Sequence, residues 1–448
     1  MTTTANDLIY ELDDHPPTGP LALLAVQHVV LMSSTLVLPA VMMSEIGGGD
    51  QQASAVLALT MMACGIGTIL QSVRLPGFGS GYLCPNLAGP NFFPACMSAA
   101  WLGGIPLMRG MTIFAGLTEL LFARLVSKIA FLFPKQVTGL VVFFVGLGLV
   151  PVGTSKFMTV AYQGDPLMPM NVLVSAITLT VMAGINVMST GNLRLYGVLV
   201  GMLVGYALSL GLGLISPAGL SQIAEAPWVG LPLLTGGASF AFHWSLAPTF
   251  IIVSICGALK SFGNLVLAEK VNFPDRKATD MKAIQNGLTA DAATVVISGL
   301  IGGMASDTSS SNVSLSASTG ATSRMIGYGA GALFFLLGFS PKLAAVLTHM
   351  PTPVAGAILV FVTCFMIMSG LQIIAAVKLD ARRTFAIGLA FCAGLSVDIL
   401  PQAYAGVAPW LRPIFADSLT LATIAAVLLT QVTRLGLPRE TTAAHKES

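Results

Sequence analysis

The stretch Ser306–Gly320, SDTSSSNVSLSASTG, lies between long apolar runs yet is built mainly of hydroxyl side chains, with one acid, Asp307, and one amide, Asn312. A second interruption, Gly79–Asn91 with the sequence GSGYLCPNLAGPN, is followed by apolar Phe92–Trp101. Neither reads as an ordinary membrane helix. Lipid offers no partner to a free N–H or C=O, so irregular backbone at membrane depth must be enclosed by protein or line a watery cavity.

The surroundings place both stretches at membrane depth. The chain is 55% hydrophobic and only 9% charged, against roughly one quarter charged in a soluble protein. Apolar runs such as Leu140–Val150, Val172–Val187, Leu195–Ile215, Ala330–Phe339 and Leu419–Val432 recur along it. With about 20 apolar residues needed per crossing, the pattern predicts an all-α polytopic membrane protein of about fourteen segments. They fall at 19–43, 53–73, 80–101, 106–127, 135–152, 170–188, 193–215, 246–268, 285–304, 308–324, 325–349, 352–372, 383–400 and 413–435, and two of them are broken.

Positive charges support this layout. With a cytoplasmic N-terminus, the inner loops and tail hold Arg74, Arg124, Lys128, Lys135, Arg194, Lys270, Arg276, Lys277, Lys282, Arg324, Lys378, Arg382, Arg383, Arg434, Arg439 and Lys446. The outer side holds Arg109, Lys156 and Arg412, and Lys260 and Lys342 fall within segments. This is the asymmetry of the positive-inside rule, with both termini cytoplasmic in the cell (inner) membrane. The acidic N-terminus lacks the basic region of a cleaved signal and is expected to remain.

The broken segments are third and tenth in order, seven apart. An odd number of crossings per half inverts the second half, and paired interruptions in inverted halves mark a carrier's binding site. Free N–H groups at a half-helix start present a partial positive charge there. Other classes fit poorly. A net charge of +2 gives no nucleic-acid patch. The cysteines are scattered without a CxxC pair. No HExxH or nucleophile elbow points to an enzyme, and the polarity is too localised for a channel lining.

Several motifs carry a resemblance. Ser311-Asn312-Val313-Ser314-Leu315-Ser316-Ala317-Ser318-Thr319-Gly320 resembles the signature of the nucleobase–ascorbate transporters, and Gln27-His28 resembles their first-span Gln-His pair. Pro353-Val354-Ala355-Gly356 with Ser369-Gly370-Leu371 resembles their twelfth span. The resemblance covers Leu21 to about Leu435. It implies two inverted seven-span repeats, a core and a gate domain, and short strands in broken spans 3 and 10 with substrate held between them and span eight. The divisions expected are a tail at 1–18, core at 19–127, gate at 135–215, core at 246–349, gate at 352–435 and a tail at 436–448. It also implies a homodimer working by proton or sodium symport without a cofactor or metal. The solute would be a nucleobase-like compound moved by elevator-like displacement of core against gate.

The departures bear on the substrate. Lys260 stands where the family's span-eight glutamate falls, Asn264 where its His or Asp falls, and Ser311 where its span-ten Glu or Gln falls. Ser314 replaces the glycine. Lys260 and Asn264, four apart on one helix face beside Ser261, would suit an oxygen-rich solute such as xanthine or urate. An ion pair of Lys260 with Glu119 or Asp307 is the structural alternative. Asn312, Phe92, Phe93 and His28 complete the candidate contacts. Lys260, Asp307, Glu119 and Asp291 are candidates for coupling, Asp291 being expected in a solvated structural role. A sulfate-permease-like anion carrier is the rival reading.

Overall fold

The computed structural model describes residues 8–129, 134–160, 167–189, 191–232, 239–276, 278–404, 406–408, 411–415 and 417–435. Most of the expected N-terminal extension is therefore described, whereas residues 1–7 and the 436–448 tail lie outside it.

The chain is mostly helical. Its first half comprises α1 (Thr18–Ser33), α2 (Val37–Glu45), α3 (Asp50–Ser72), strand β1 (Asn86–Ala88), α4 (Phe93–Ile129), α5 (Lys135–Met158), α6 (Pro169–Met188), α7 (Gly197–Gly211) and α8 (Pro217–Glu225). There follow α9 (Ala247–Asn272), α10 (Met281–Ile301), strand β2 (Ser306–Thr308), α11 (Ser310–Thr319), α12 (Arg324–Leu337), α13 (Pro341–Thr348), α14 (Thr352–Ala375), α15 (Ala381–Ile399), α16 (Arg412–Phe415) and α17 (Ser418–Leu435). Among the described residues, seven helical stretches are long and apolar enough to cross a membrane, or eight if α12 and α13 form one bent span. The protein is a multi-pass membrane protein.

Two elements depart from the expected segments. The third segment is extended through β1 before its helix begins, and the backbone of α4 leaves helical geometry at Gly103 (φ −150°) and Gly104 (φ 65°), where the expected boundary between the third and fourth segments falls. The expected single segment 325–349 is two helices, α12 and α13, set at 78°. Ser340 caps α13 by accepting from the Leu343 amide, and Pro341 occupies its first turn, so the chain restarts there in a new direction. Helix α8 lies outside the expected segments, started by Ser216, which accepts from Gly219 N, and by Pro217. The acidic N-terminal segment is also tied down. The amides of Ile9 and Tyr10 donate to the Gly320 carbonyl, Thr322 N donates to Tyr10 O, and Asp13 pairs with Arg324.

The two interrupted stretches meet at the centre. β1 pairs antiparallel with β2, with Asn86 opposite Thr308, Leu87 opposite Asp307 and Ala88 opposite Ser306. The approach to β1 turns sharply at Gly79 (φ 75°), where a Cβ would lie 2.1 Å from the Val73 carbonyl oxygen. Only glycine fits that backbone.

Around this centre the helices cross through small residues. A Cβ on Gly65 of α3 would lie 2.6 Å from the Gly331 carbonyl of α12, and one on Gly116 of α4 would lie 2.7 Å from Val296 N of α10. The α5–α14 crossing uses Gly139, Gly146, Gly356 and Gly370. Lipid tails are as apolar as leucine, so association rests on such close backbone approach. Gly370→Ala would put a methyl 2.5 Å from Phe143 N, whereas Gly388→Ala on α15 meets open space. Thermal unfolding in detergent should show Gly370→Ala destabilised by about 1–3 kcal/mol, with Gly388→Ala close to the parent.

Candidate functional site

β2 runs directly into α11, whose first turn is capped by Ser309: its hydroxyl accepts from Asn312 N at 3.2 Å. Helix geometry leaves the first-turn amides of Ser310 and Ser311 without an intrahelical acceptor. In front of this turn lies a cavity of about 510 Å³, within the range of about 300–1,000 Å³ typical of small-molecule sites.

Its wall has two sides. One consists of Ser309, Ser310, Ser311 and Ser314 of the tenth segment, Leu87 and Pro90 of the third, Lys260 of α9, and Leu31, Ser34 and Thr35 at the end of α1. The other consists of Asn186 of α6, Arg194 and Val198 at the start of α7, and Phe361 and Phe365 of α14. The two phenyl rings lie 4.8 Å apart between centroids. Charged and polar groups facing the cavity are thus mostly donors: an ammonium, a guanidinium and a row of hydroxyls. No carboxylate lines it among the described residues.

Lys260 has a carboxylate partner behind the wall. Its Nζ lies 2.7 Å from Asp307 Oδ2, the Lys260 side chain 26% exposed and that of Asp307 fully buried. The same Asp307 oxygen accepts from Asn91 Nδ2 at 2.6 Å. Lys260 therefore lines the cavity and pairs with Asp307 at once, the acid being Asp307 and not Glu119.

Other residues singled out in the sequence lie behind the wall. Asn264 donates to the Thr308 hydroxyl at 2.9 Å and accepts from Ser310 Oγ at 2.8 Å. Ser261 donates to Asp291 and exchanges a hydrogen bond with Thr308 Oγ1 at 2.7 Å. Asn312 is fully buried; its Oδ1 lies 2.7 Å from His28 Nδ1, and its Nδ2 donates to Ser309 Oγ at 2.7 Å. Asn312 and His28 thus brace the first turn of α11 against α1. Phe92 and Phe93 are both 1% exposed and pack in the core, Phe92 against Gly257 of α9. Ser311 is exposed to the cavity.

The acids gather behind the strands. Asp291 is buried rather than solvated, accepting from Asn86 Nδ2 at 2.7 Å and from Ser261. Glu119 is also buried, and among the described residues neither of its carboxylate oxygens has a hydrogen-bond donor. Arg109, expected on the outer side, is buried within α4, where it donates to the Gly299 and Leu300 carbonyls of α10.

Arg194, Asn186, Phe361 and Phe365 were not singled out from the sequence. In the sequence Arg194 reads as an inner-loop cation, and membrane topology accounts fully for its charge. Asn86 and Asn91 were visible as amides inside a broken segment, which is the signal that could have raised them.

Removing the ammonium should strand Asp307 in the interior, at a cost of about 3–5 kcal/mol for a broken buried pair. Lys260→Met should therefore unfold at clearly lower temperature than the parent. Lys260→Met/Asp307→Asn, with no orphaned charge, should recover most of that loss in the same melting assay.

A family model for xanthine/uracil-type permeases, described as Permease family, matches residues 19–403. The chain is 26% identical over 438 residues to a putative purine permease of Clostridium perfringens, covering 96% of this chain and 94% of that protein. It is 25% identical over 441 residues to the xanthine permease XanP of Escherichia coli, covering 95% of each. In fold it is similar to the transmembrane domain of the cyanobacterial bicarbonate transporter BicA, with a TM-score of 0.55 at 14% identity, covering 93% of this chain and 98% of that one.

Proposed function

This chain belongs to the nucleobase–ascorbate transporter family, the permease family whose model covers residues 19–403, and from that membership we propose that it carries an oxopurine such as xanthine or urate. The family is one of permeases rather than enzymes. The observation that carries the substrate reading is the cavity wall, on which Lys260, Arg194 and the α11 hydroxyls converge and no carboxylate faces inward among the described residues. Uracil and xanthine share the same carbonyl pattern on the pyrimidine ring. What an oxopurine adds is a second ring with its own acceptor nitrogen and, for urate, a further oxygen and a negative charge, which call for donors. Phe361 and Phe365 give the ring an apolar surface.

The same reading gives the chain fourteen spans in two inverted repeats. Reciprocal contacts support it: α4 packs on α10 as α12 packs on α3, while β1 with β2 and α5 with α14 pair across the halves. Core at 19–127 and 246–349 would move against gate at 135–215 and 352–435, carrying solute with a coupled ion. The protein would work as a homodimer in the inner membrane with both termini cytoplasmic.

One observation favours a second reading. Two cations and a helix start beside a cavity would also hold a small anion, so a sulfate-permease-like carrier is the alternative. A thermal-shift screen of the purified protein separates the two: xanthine and urate should stabilise it while uracil, sulfate and bicarbonate should not. Stabilisation by inorganic anions alone would overturn the oxopurine reading. Arg194→Ala should raise the KM for xanthine uptake about tenfold or more, the loss of one charged hydrogen bond, with expression and melting temperature kept.

A further inference from the structure

The cavity wall accounts for Lys260 and Asp307, but a pair of carboxyls, Glu119 and Asp291, lies deeper and does not line it. Glu119 of α4 is 0% exposed, and among the described residues neither of its oxygens has a donor. Three residues before it, Gly116 brings α4 to the backbone of Ala292 and Val296 on α10, so Glu119 faces α10 next to Asp291. Two neighbouring carboxyls in a dry interior share a hydrogen bond only if one of them carries a proton.

The surrounding groups decide which one. Asp291 already receives two donors, Asn86 Nδ2 on Oδ1 and Ser261 Oγ on Oδ2. Glu119 receives none. An ionised carboxylate without donors in a dry interior is among the costliest arrangements a protein can hold. The charged groups nearby do not relieve it. Asp307 on β2 adds negative charge, and Lys260 on α9 is committed to Asp307 at 2.7 Å. Arg109, on α4 itself, is turned to the carbonyls of Gly299 and Leu300. Toward Asp291, α3 contributes the Cys64 thiol and the lead into β1 contributes that of Cys84. On α2 and α5, Glu45 and Lys156 pair with each other at 2.7 Å, and Lys135 lies at the opposite end of α5. His243, beside the turn that touches α4, is exposed.

We propose that Glu119 is protonated and donates to ionised Asp291, and that this shared proton is the ion transported with the solute. The inference rests on the carrier reading above and names its coupling site.

A line of oriented hydrogen bonds connects this site to the cavity. Ser310 donates to Asn264 Oδ1, Asn264 Nδ2 donates to Thr308 Oγ1, Thr308 shares a hydrogen bond with Ser261, and Ser261 donates to Asp291. With Ser261 donating to Asp291, Thr308 must donate to Ser261, so every donor in the line points toward the acid. A solute oxygen that takes the Ser310 hydroxyl proton removes the first link. Hydrogen bonds in a line polarise one another, so losing that link weakens the donation of Ser261 to Asp291. The strength of that donation sets how firmly the carboxyl pair keeps its proton.

The test separates the proton's seat from the solute's identity. Infrared spectra of the lipid-reconstituted protein should contain the C=O stretch of a protonated carboxyl, shifted in D2O, and Glu119→Gln should lose one carboxyl's share of it. Full retention of the band in Glu119→Gln, or its absence from the parent, overturns the proposal whatever the solute is. In proteoliposomes, an imposed pH difference should drive about tenfold xanthine accumulation per unit for one-to-one coupling. Glu119→Gln should abolish that accumulation while xanthine counterflow persists. Undiminished pH-driven accumulation in Glu119→Gln overturns the proposal. Should Glu119→Gln fail to fold, Asp291→Asn takes its place in the transport assay, and pH-driven accumulation surviving in that variant likewise overturns it. A parent that shows the band and loses it in Glu119→Gln, yet gives no xanthine counterflow, supports the protonated Glu119 and rejects the oxopurine reading instead.

Discussion

Two lengths of non-helical backbone sit where lipid would offer them no hydrogen-bond partner, and most of the molecule is arranged around satisfying them. The pairing of Asn86–Ala88 with Ser306–Thr308 meets only part of the need, since each strand is three residues long. Gly89 N and Ser309 N extend it by donating to the Ala305 and Pro85 carbonyls. Side chains of α3 supply the next partners: Thr68 Oγ1 accepts from Asn86 N, and Thr60 Oγ1 accepts from Met304 N. Gln71, also on α3, donates to the Gly287 carbonyl of α10. Unsatisfied amides in an apolar interior cost several kcal/mol each, so the strands cannot be displaced independently of α3 and α10.

The pleat of this small sheet then sorts the chemistry. Side chains of neighbouring residues point to opposite faces. Asn86 and Thr308, directly opposite one another, share one face and reach Asp291, Ser261 and Asn264. Leu87 and Asp307 share the other, where Leu87 lines the cavity and Asp307 meets Lys260 and Asn91. Two acids in adjacent segments thus acquire different roles from the alternation alone. Asp307 is paired with a cation at the cavity wall. Asp291 is embedded among neutral donors beside Glu119.

How much of this was legible in the sequence follows from the same physics. Sparse charge and repeated apolar runs leave little alternative to a helical membrane protein. A polar stretch such as Ser306–Gly320, flanked by apolar segments, has to be enclosed, so its meeting with Gly79–Asn91 could be argued in advance. Direction was harder to read. Lys260 and Asn264 share a face of α9, but Lys260 opens on the cavity while Asn264, one turn on, is taken up by Thr308 and Ser310. Composition alone cannot distinguish an amide that contacts a solute from one that braces the backbone beside it, and Asn312 is of the second kind. Arg194 was obscured for a different reason. A basic residue at a helix end is already explained by membrane topology, so nothing in the sequence asks for a further role. The bend between α12 and α13 was announced by Ser340-Pro341-Lys342, but the apolar stretches on either side, together long enough for one crossing, hid the break.

The distribution of polar contacts also constrains how carriage can proceed. The ion pair of Lys260 with Asp307, the acids Asp291 and Glu119, and the hydroxyl–amide line between Ser310 and Ser261 all lie on α4, α9, α10, α11 and the strands. The opposite wall, from α6, α7 and α14, offers Arg194, Asn186 and two phenyl rings. A displacement of one group against the other, as the proposed carriage requires, would leave every one of those buried polar bonds intact. What would change is the set of donors above the solute, chiefly Arg194, together with apolar contacts that slide at little cost. A buried network that had to break and re-form in each cycle would impose several kcal/mol per orphaned group. In the proposed carriage, confining it to one moving body would remove that barrier and would keep the proposed solute contacts on the α11 hydroxyls linked to the Glu119–Asp291 pair throughout the transit.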